Sequence, residues 1–387
     1  MKKITTIVSI CILSFFSGFV VTVVSHIGRV ISEDRIAATV VAHCKTSGYK
    51  PACYDREIPK DTQSFSMEQS FGVTRRVQEI DTTYQYCHVL GHELAARETK
   101  KDPAKWKDVI TRCPSGMCSN GCIHGAFQER FRTDTVPDDQ LESIKSELLN
   151  VCEKRGSWMP TGMEQASCYH ALGHLLMYIT NARIEKALAF CDDLTTDFRS
   201  VCYDGSFMQI FQPLEPEDFA LIKGKELTVE SVTPFCLRFN GKMLGSCWSE
   251  SWPLFREKFQ IPEGLMSHCG FLPPDLQDRC FRALSYVMTV QMGFSEEKLE
   301  PYCSHLMPPF AARCFAMAAS RFIETDWKNI DKALAWCKRV SSFDPDGECY
   351  LELSKTASFT VPRGSAEQKK ICDGLPRNIQ AECGRRP

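Results

Sequence analysis

The chain lacks the charge excess that nucleic-acid binding requires. Its 387 residues include 46 lysines and arginines against 48 aspartates and glutamates. Proteins that bind phosphate backbones do so with a strong positive excess, so this near-balance argues against nucleic acid as a partner. The chain also has only nine histidines, which makes the position of each one informative.

Several catalytic signatures are missing as well. The sequence has no Gly-x-Ser-x-Gly, no glycine-rich phosphate loop and no His-Glu-x-x-His. Haem attachment needs Cys-x-x-Cys-His, and the segment CSNGCIH at 118–124 has a different spacing. An enzyme built on this chain would therefore have to use a metal ion, through a bound water whose pKa the ion lowers.

The one long apolar run stands at the N-terminus. Two lysines precede ITTIVSICILSFFSGFVVTVV, residues 4–24, which can span a hydrocarbon core of roughly 30 Å. No clear small-x-small cleavage site follows, so we predict an uncleaved signal anchor over residues 1–29, with a cleaved signal peptide as the alternative. The lysines favour a cytoplasmic N-terminus, which predicts a single-pass membrane protein. Residues 30–43 are predicted as a linker and residues 44–387 as an ectodomain outside the cytoplasm.

Cysteine is abundant, with 21 residues, and it recurs periodically. Nine marker cysteines stand at 53, 122, 168, 202, 247, 280, 314, 349 and 383, and from Cys247 onward their spacing is 33 to 35 residues. Tyr86 lies near the midpoint of the gap between Cys53 and Cys122, and two longer steps look like insertions. The pattern predicts ten copies of a repeat of about 34 residues.

The cysteines of the ectodomain can all pair. Zinc sites use tight Cys-x2–4-Cys spacing, whereas wider spacing in an exported chain favours disulfides. Spacing does not fix connectivity, but the simplest pairing joins each marker to its upstream cysteine and joins the two left over. The predicted pairs are 44/53, 113/122, 152/168, 191/202, 236/247, 269/280, 303/314, 337/349, 372/383 and 87/118.

Each repeat reads as two amphipathic helices of about 12–14 residues. One ends at the upstream cysteine, as in ARIEKALAFC, and the other begins at the marker, as in CYHALGHLLMYI. In length and helix pairing the repeat resembles those of tetratricopeptide and Sel1-like solenoids, although the Trp-Leu-Gly-Tyr signature is absent. We therefore predict an all-α fold, an α/α solenoid of about ten disulfide-linked helix pairs with one N-terminal transmembrane helix. A large aromatic or apolar residue after most markers is predicted to pack between helices.

Five of the nine histidines occupy two positions of the repeat, the second and sixth after the marker, in three consecutive repeats. Residues i and i+4 share one helix face, and equivalent positions of stacked repeats face the same side. The five are therefore expected to converge on one patch, and Asp204 holds the second position in the following repeat. The members are His88, His92, His124, His170, His174 and Asp204.

Imidazoles four residues apart are a common way to hold a transition metal from one helix. His88, His92 and His124 can form one ligand set, and His124, His170 and His174 another, with Asp204 as a further carboxylate ligand. One ion or two are both consistent with the pattern, and imidazole suits zinc, copper and iron alike. Structural histidines that bond carbonyls or carboxylates, and acid–base catalysis without a metal, are the alternatives.

Two classes of function follow from the sequence. The first is a membrane-anchored, extracytoplasmic metal-binding protein, either a carrier or a metal-dependent enzyme. The second is a scaffold whose concave face binds another exported protein of the cell envelope. Confinement of the histidines to three repeats favours a site. Four glycines beside them (Gly91, Gly125, Gly173 and Gly205) suggest close helix approach, and insertions at 131–150 and 211–232 flank the repeat of Cys168.

Overall fold

A computed structural model describes residues 32–131, 138–156, 158–194, 197–213, 216–308, 310–381 and 383–384. These residues form helices joined by short turns, and no strand occurs among them. The prediction of an all-α protein is confirmed. The contact pattern divides the chain into two compact units, Met1–Tyr84 and Gln85–Pro387.

The first unit contains three helices in its described part. Helix α1 covers residues 32–44, α2 covers Lys50–Asp61 and α3 covers Met67–Ile80. Most of the stretch that we had predicted as a linker, 30–43, is therefore helical, because Ala37 and Val40 are buried on one face of α1.

The second unit contains the remaining helices. Helices α4 to α12 are His88–Lys101, Trp106–Thr111, Gly121–Phe131, Asp138–Leu149, Gly162–Ile179, Ile184–Asp192, Arg199–Phe211, Pro216–Ile222 and Val229–Cys236. Helices α13 to α21 are Gly241–Glu250, Pro262–Cys269, Pro274–Gln291, Glu296–Ser304, Phe310–Thr325, Ile330–Arg339, Glu348–Phe359, Ala366–Gly374 and Arg377–Gln380.

The helical repeat and all ten predicted disulfides are present. Nine marker helices (α2, α4, α6, α8, α10, α13, α15, α17 and α19) carry or follow the marker positions, and the tenth marker, Cys383, lies in a turn. The predicted uniform length was wrong. Marker helices have 10 to 18 residues, while the partner helices α12, α14 and α16 have only 8 or 9.

The large residue after most markers packs in the core, as predicted, although Tyr350 is only half-buried. Tyr169, Phe281 and Phe315 are almost fully buried in the second unit. In two repeats the residue is a tyrosine whose hydroxyl donates to the acidic residue directly after the upstream cysteine: Tyr169 to Glu153 and Tyr203 to Asp192. The column therefore joins the two helices of a repeat by apolar packing and a hydrogen bond.

Among the described helices, none combines the length and the apolar character needed to cross a membrane. The predicted anchor at residues 1–29 lies outside the described residues.

Within the second unit, residues in and just after α17 contact residues that lie just before α4 and α6. The Trp327 backbone N–H donates to the Gly116 carbonyl, and a Cβ on Gly116 would lie 2.0 Å from the Trp327 ring. The Arg321 guanidinium of α17 lies 5.7 Å from the ring centre of Tyr86, directly before α4. Non-sequential contacts of this kind are not a feature of a simple solenoid, in which each repeat touches its neighbours alone.

Candidate metal centre

The first histidine pair lies at the start of α4. His88 and His92 are one helical turn apart, and their Nε2 atoms are 3.1 Å apart. Two nitrogens bound to one ion at about 2.0–2.1 Å and a tetrahedral angle are separated by about 3.3 Å. The pair is therefore close to the spacing that a single metal ion requires.

Helix α6 brings a third imidazole to this pair by close backbone approach. Cβ atoms built on Gly121 and Gly125 would lie 2.1 Å from the carbonyl oxygens of His88 and His92, respectively. Only glycine permits this separation. As a result, one ligand nitrogen from each of His88, His92 and His124 lies within 4.8 Å of the others. We call α4 and α6 the first module.

A strained turn orients His88. Cys118, Ser119 and Asn120 have φ values of 53°, 48° and 57°, a left-handed conformation that costs free energy for residues with a Cβ. The turn directs the Ser119 carbonyl to His88 Nδ1, 3.2 Å away. The Cys87–Cys118 disulfide ties this turn to the start of α4. With Nδ1–H donating to the carbonyl, Nε2 of neutral His88 keeps its lone pair for an ion.

Helices α8 and α10 repeat the arrangement, and we call them the second module. The Nε2 atoms of His170 and His174 are 3.1 Å apart. A Cβ on Gly205 would lie 2.0 Å from the His170 carbonyl oxygen, and one on Gly173 would lie 2.2 Å from the Cys202 carbonyl oxygen. Both histidine-bearing helices thus meet their neighbours through glycine, which confirms the expected close approach.

The two modules differ in register by one helical turn. The His88 carbonyl meets Gly121, which stands one residue before its marker, whereas the His170 carbonyl meets Gly205, three residues after its marker. The shift of four residues places a different side chain of α10 beside the histidines. That side chain is Met208, whose Sδ lies 3.3 Å from His170 Nε2.

Asp204 therefore does not join the histidines as the sequence pattern had suggested. Its carboxylate pairs with the Arg279 guanidinium, with Oδ2 2.9 Å from Nη2. The prediction assumed that neighbouring marker helices pack in the same register. Helix α10 is instead shifted by one turn, so its second position after the marker does not face the histidines. We leave Asp204 out of the candidate ligands.

The two modules meet at His124. Its ring centre lies 4.9 and 5.2 Å from those of His88 and His92, and 5.4 and 5.9 Å from those of His170 and His174. The five histidines of the sequence pattern therefore form one cluster, as predicted.

A cavity of about 40 Å³ opens beside this cluster, enough for more than one water molecule. His88, His92, His124 and His174 all line it, so an ion held by the first module would face the cavity. The other lining residues are Gln128, Phe131, Ala171, Leu175, Tyr178, Met208, Gln209, Gln212 and Asp218.

Burial keeps these imidazoles neutral. It lowers the pKa of His92 to about 4 and is the main reason why the pKa values of His88, His124, His170 and His174 also fall below the usual value. Proximity to the other histidines lowers the pKa of His88 and His124 further. Neutral imidazole is the form that binds metal ions.

Several residues of the site were missed by the sequence pattern. Gln209 Oε1 accepts from His174 Nδ1 at 2.7 Å, and Gln209 Nε2 donates to Asp218 Oδ1 at 2.7 Å. Tyr178 also donates to Asp218, and Gln128 hydrogen-bonds His92. Asp218 belongs to α11 in the insertion at 211–232, so the insertion that flanks the histidine repeat does shape the site. A glutamine gives no sequence signal of its own, even though Gln128, like Met208, stands at the sixth position after its marker.

No protein-family model, no curated protein and no solved structure matches this chain. The functional conclusion therefore depends on the geometry of the site.

Proposed function

We propose that this protein binds a transition-metal ion outside the cytoplasm, at His88, His92 and His124, and is attached to the membrane by its N-terminal segment. One observation carries the metal assignment. Three neutral imidazoles from two helices present ligand nitrogens within 4.8 Å of one another beside a cavity.

The surroundings of the site support an ion more strongly than a purely structural role. A structural histidine is expected to satisfy both ring nitrogens with protein partners. In His88, Nδ1 hydrogen-bonds the Ser119 carbonyl. The contact described for its Nε2 is with another imidazole nitrogen, Nε2 of His92. Hydrogen bonds to the outer nitrogen of a ligating histidine are typical of metal sites because they fix the tautomer.

Zinc is the ion that this set fits best. Three histidine ligands with one position left for water or substrate is a known arrangement of zinc enzymes. Because all three imidazoles line the cavity, the fourth position would open into it. This observation also favours the metal-dependent enzyme as a second candidate function, in which the ion activates a water molecule.

The test is elemental analysis of the full-length chain, produced with export and solubilised in detergent. After reconstitution with zinc and removal of loose ions, wild-type protein should retain about one tightly bound ion. The double substitution His88→Ala and His92→Ala should abolish tight binding at the first module. The helical circular-dichroism signal should change little, because ten disulfides and the apolar core maintain the fold.

A matched control uses two histidines outside the cluster. His43 and His305 are exposed, and replacing both by alanine should leave the metal content at the wild-type value. Equal metal content in wild-type protein and the His88/His92 variant would disprove the proposal. Loss of helical signal in that variant would instead show that the histidines belong to the core.

A further inference from the structure

The second module presents a ligand set of a different chemical character. His170 Nε2 lies 3.1 Å from His174 Nε2 and 3.3 Å from the Met208 thioether sulfur. One nitrogen and one sulfur thus both lie within hydrogen-bonding distance of His170 Nε2. The side chains come from two helices that the glycines hold in contact, so their relative position is set by backbone packing.

Hydrogen bonds at Nδ1 leave the Nε2 atoms of His170 and His174 without protons. His174 Nδ1 donates to Gln209 Oε1, because the amide nitrogen of Gln209 is itself donating to Asp218. The backbone of Val201 favours a proton on the His170 ring, and we assign that proton to Nδ1 because Nε2 faces His174 and Met208. In the neutral rings both Nε2 atoms then carry lone pairs.

Lone pairs at this distance repel one another unless a cation lies between them. Ligands at about 2.0–2.1 Å for nitrogen and about 2.3 Å for sulfur would be separated by roughly 3.3–3.6 Å around one ion. The observed separations of 3.1 and 3.3 Å require only a small outward movement to match this geometry.

We propose that the second module is a separate copper(I) site formed by His170, His174 and Met208. Thioether sulfur is a soft ligand that selects copper(I), whereas zinc prefers imidazole, thiolate and carboxylate. Every cysteine from Cys44 onward is in a disulfide, so a soft ligand in this part of the chain has to be a methionine. The site goes beyond the zinc site of the first module and shares none of its three ligands.

The experiment is an anaerobic copper(I) titration of the full-length protein against a chromophoric copper(I) chelator. The Cys11→Ser background removes the thiol of the one cysteine outside the ten disulfides, and ascorbate keeps copper reduced without a thiol reagent. Met208→Leu removes the sulfur at nearly constant volume and should weaken copper(I) binding at least about tenfold. Met288→Leu, a buried methionine of α15, is the matched control and should bind as the parent does.

X-ray absorption of the copper-loaded protein gives a second measurement that does not depend on affinity. The parent should show one sulfur neighbour at about 2.3 Å, and this signal should be missing from Met208→Leu. Unchanged copper(I) affinity in Met208→Leu, or a copper spectrum with nitrogen neighbours alone, would overturn the proposal.

Zinc content measured on the same preparations separates the two proposals. If zinc content depends on His88 and His92 but copper(I) affinity is the same with and without the Met208 thioether, only the proposal of a copper site is overturned. Copper(I) binding that depends on Met208 in a protein that retains no zinc would overturn the first-module proposal alone. A protein that binds neither ion overturns both.

Discussion

The first and second modules are built from the same sequence pattern, yet they present different side chains to their histidine pairs. In α4 and α8 the pair His-x-Leu-Gly-His has the same conformation, with Nε2 atoms 3.1 Å apart in both. The neighbouring helix supplies His124 in the first module and Met208 in the second. The cause is a slide of α10 by one turn relative to α6.

This difference shows how a repeat protein can change the chemistry of a site without changing its repeat. Because of the slide, the sixth position after the marker of α10, rather than the second, lies beside the histidine pair. Met208 therefore contacts His170, while Asp204 pairs with Arg279. Each module also has its own support. The first has the Cys87–Cys118 disulfide, and the second has the hydrogen bonds from Gln209 to Asp218.

The largest effect is expected from removing the disulfide that is special to the first module. Replacing Cys87 and Cys118 by serine opens a loop with a sequence separation of 31, which should lower the free energy of unfolding by about 3.7 kcal/mol in the chain-entropy model. Zinc affinity should also fall, because the left-handed turn at Ser119 loses its tether and His88 its fixed partner. Denaturant unfolding and zinc competition measure the two effects.

The control for this prediction is the pair Cys303 and Cys314, with a separation of 11. Its replacement by serine should cost about 2.8 kcal/mol and leave zinc affinity unchanged. Equal loss of zinc affinity in both variants would mean that general stability, rather than the turn, controls the site.

The next effect concerns the helix contact of the second module. Gly205→Ala places a Cβ 2.0 Å from the His170 carbonyl oxygen, so α8 and α10 must separate at a cost of about 1–3 kcal/mol. Gly245→Ala in α13 is the matched control because its Cβ would meet nothing closer than 3.6 Å. That change should be neutral or stabilise by up to about 1 kcal/mol. Thermal unfolding without reductant compares the two, and similar destabilisation would contradict the close-contact interpretation.

A smaller effect is expected from the support of His174. Gln209→Leu removes the acceptor that fixes the His174 tautomer, so copper(I) affinity of the second module should fall by about tenfold. Zinc affinity of the first module should stay the same, since Gln209 contacts a histidine of the second module. Parallel titrations with the two ions measure this, and an equal fall for both ions would show that the modules are not independent.

The smallest effect at neutral pH comes from histidine protonation in the metal-free protein. The folded-state pKa of His92 is about 4, below the value of about 6.5 for an exposed histidine. Between these values the unfolded chain binds more protons than the folded one, so the free energy of unfolding should decrease as pH falls from 6.5 to 4 and stay constant above that range. Unfolding measured in a chelator should show this slope, and His88→Ala with His92→Ala should make it shallower, because the other buried histidines still contribute. An unchanged slope in that variant would assign the acid sensitivity to other groups, such as buried His268.

Much of the fold could be predicted because its signals are local or periodic. The cysteine period predicted the repeat, and pairing each marker with its upstream cysteine was the simplest connectivity, which the structure confirms. The convergence of the five histidines followed from helix periodicity and repeat stacking. Helix lengths and the division at Tyr84 could not be predicted, because they depend on how apolar faces pack together in the folded chain.

The sequence by itself determined the helical repeat and the gathering of His88, His92, His124, His170 and His174, and it indicated the simplest pairing of the cysteines, which the structure confirms. These features depend on spacing along the chain, which a helix converts directly into position. Only the tertiary structure decided that Met208 rather than Asp204 meets the second pair, and that Asp218 supports it through Gln209. The physical reason is that glycine allows two helices to touch at more than one register, and the choice among registers is made by packing over the whole interface.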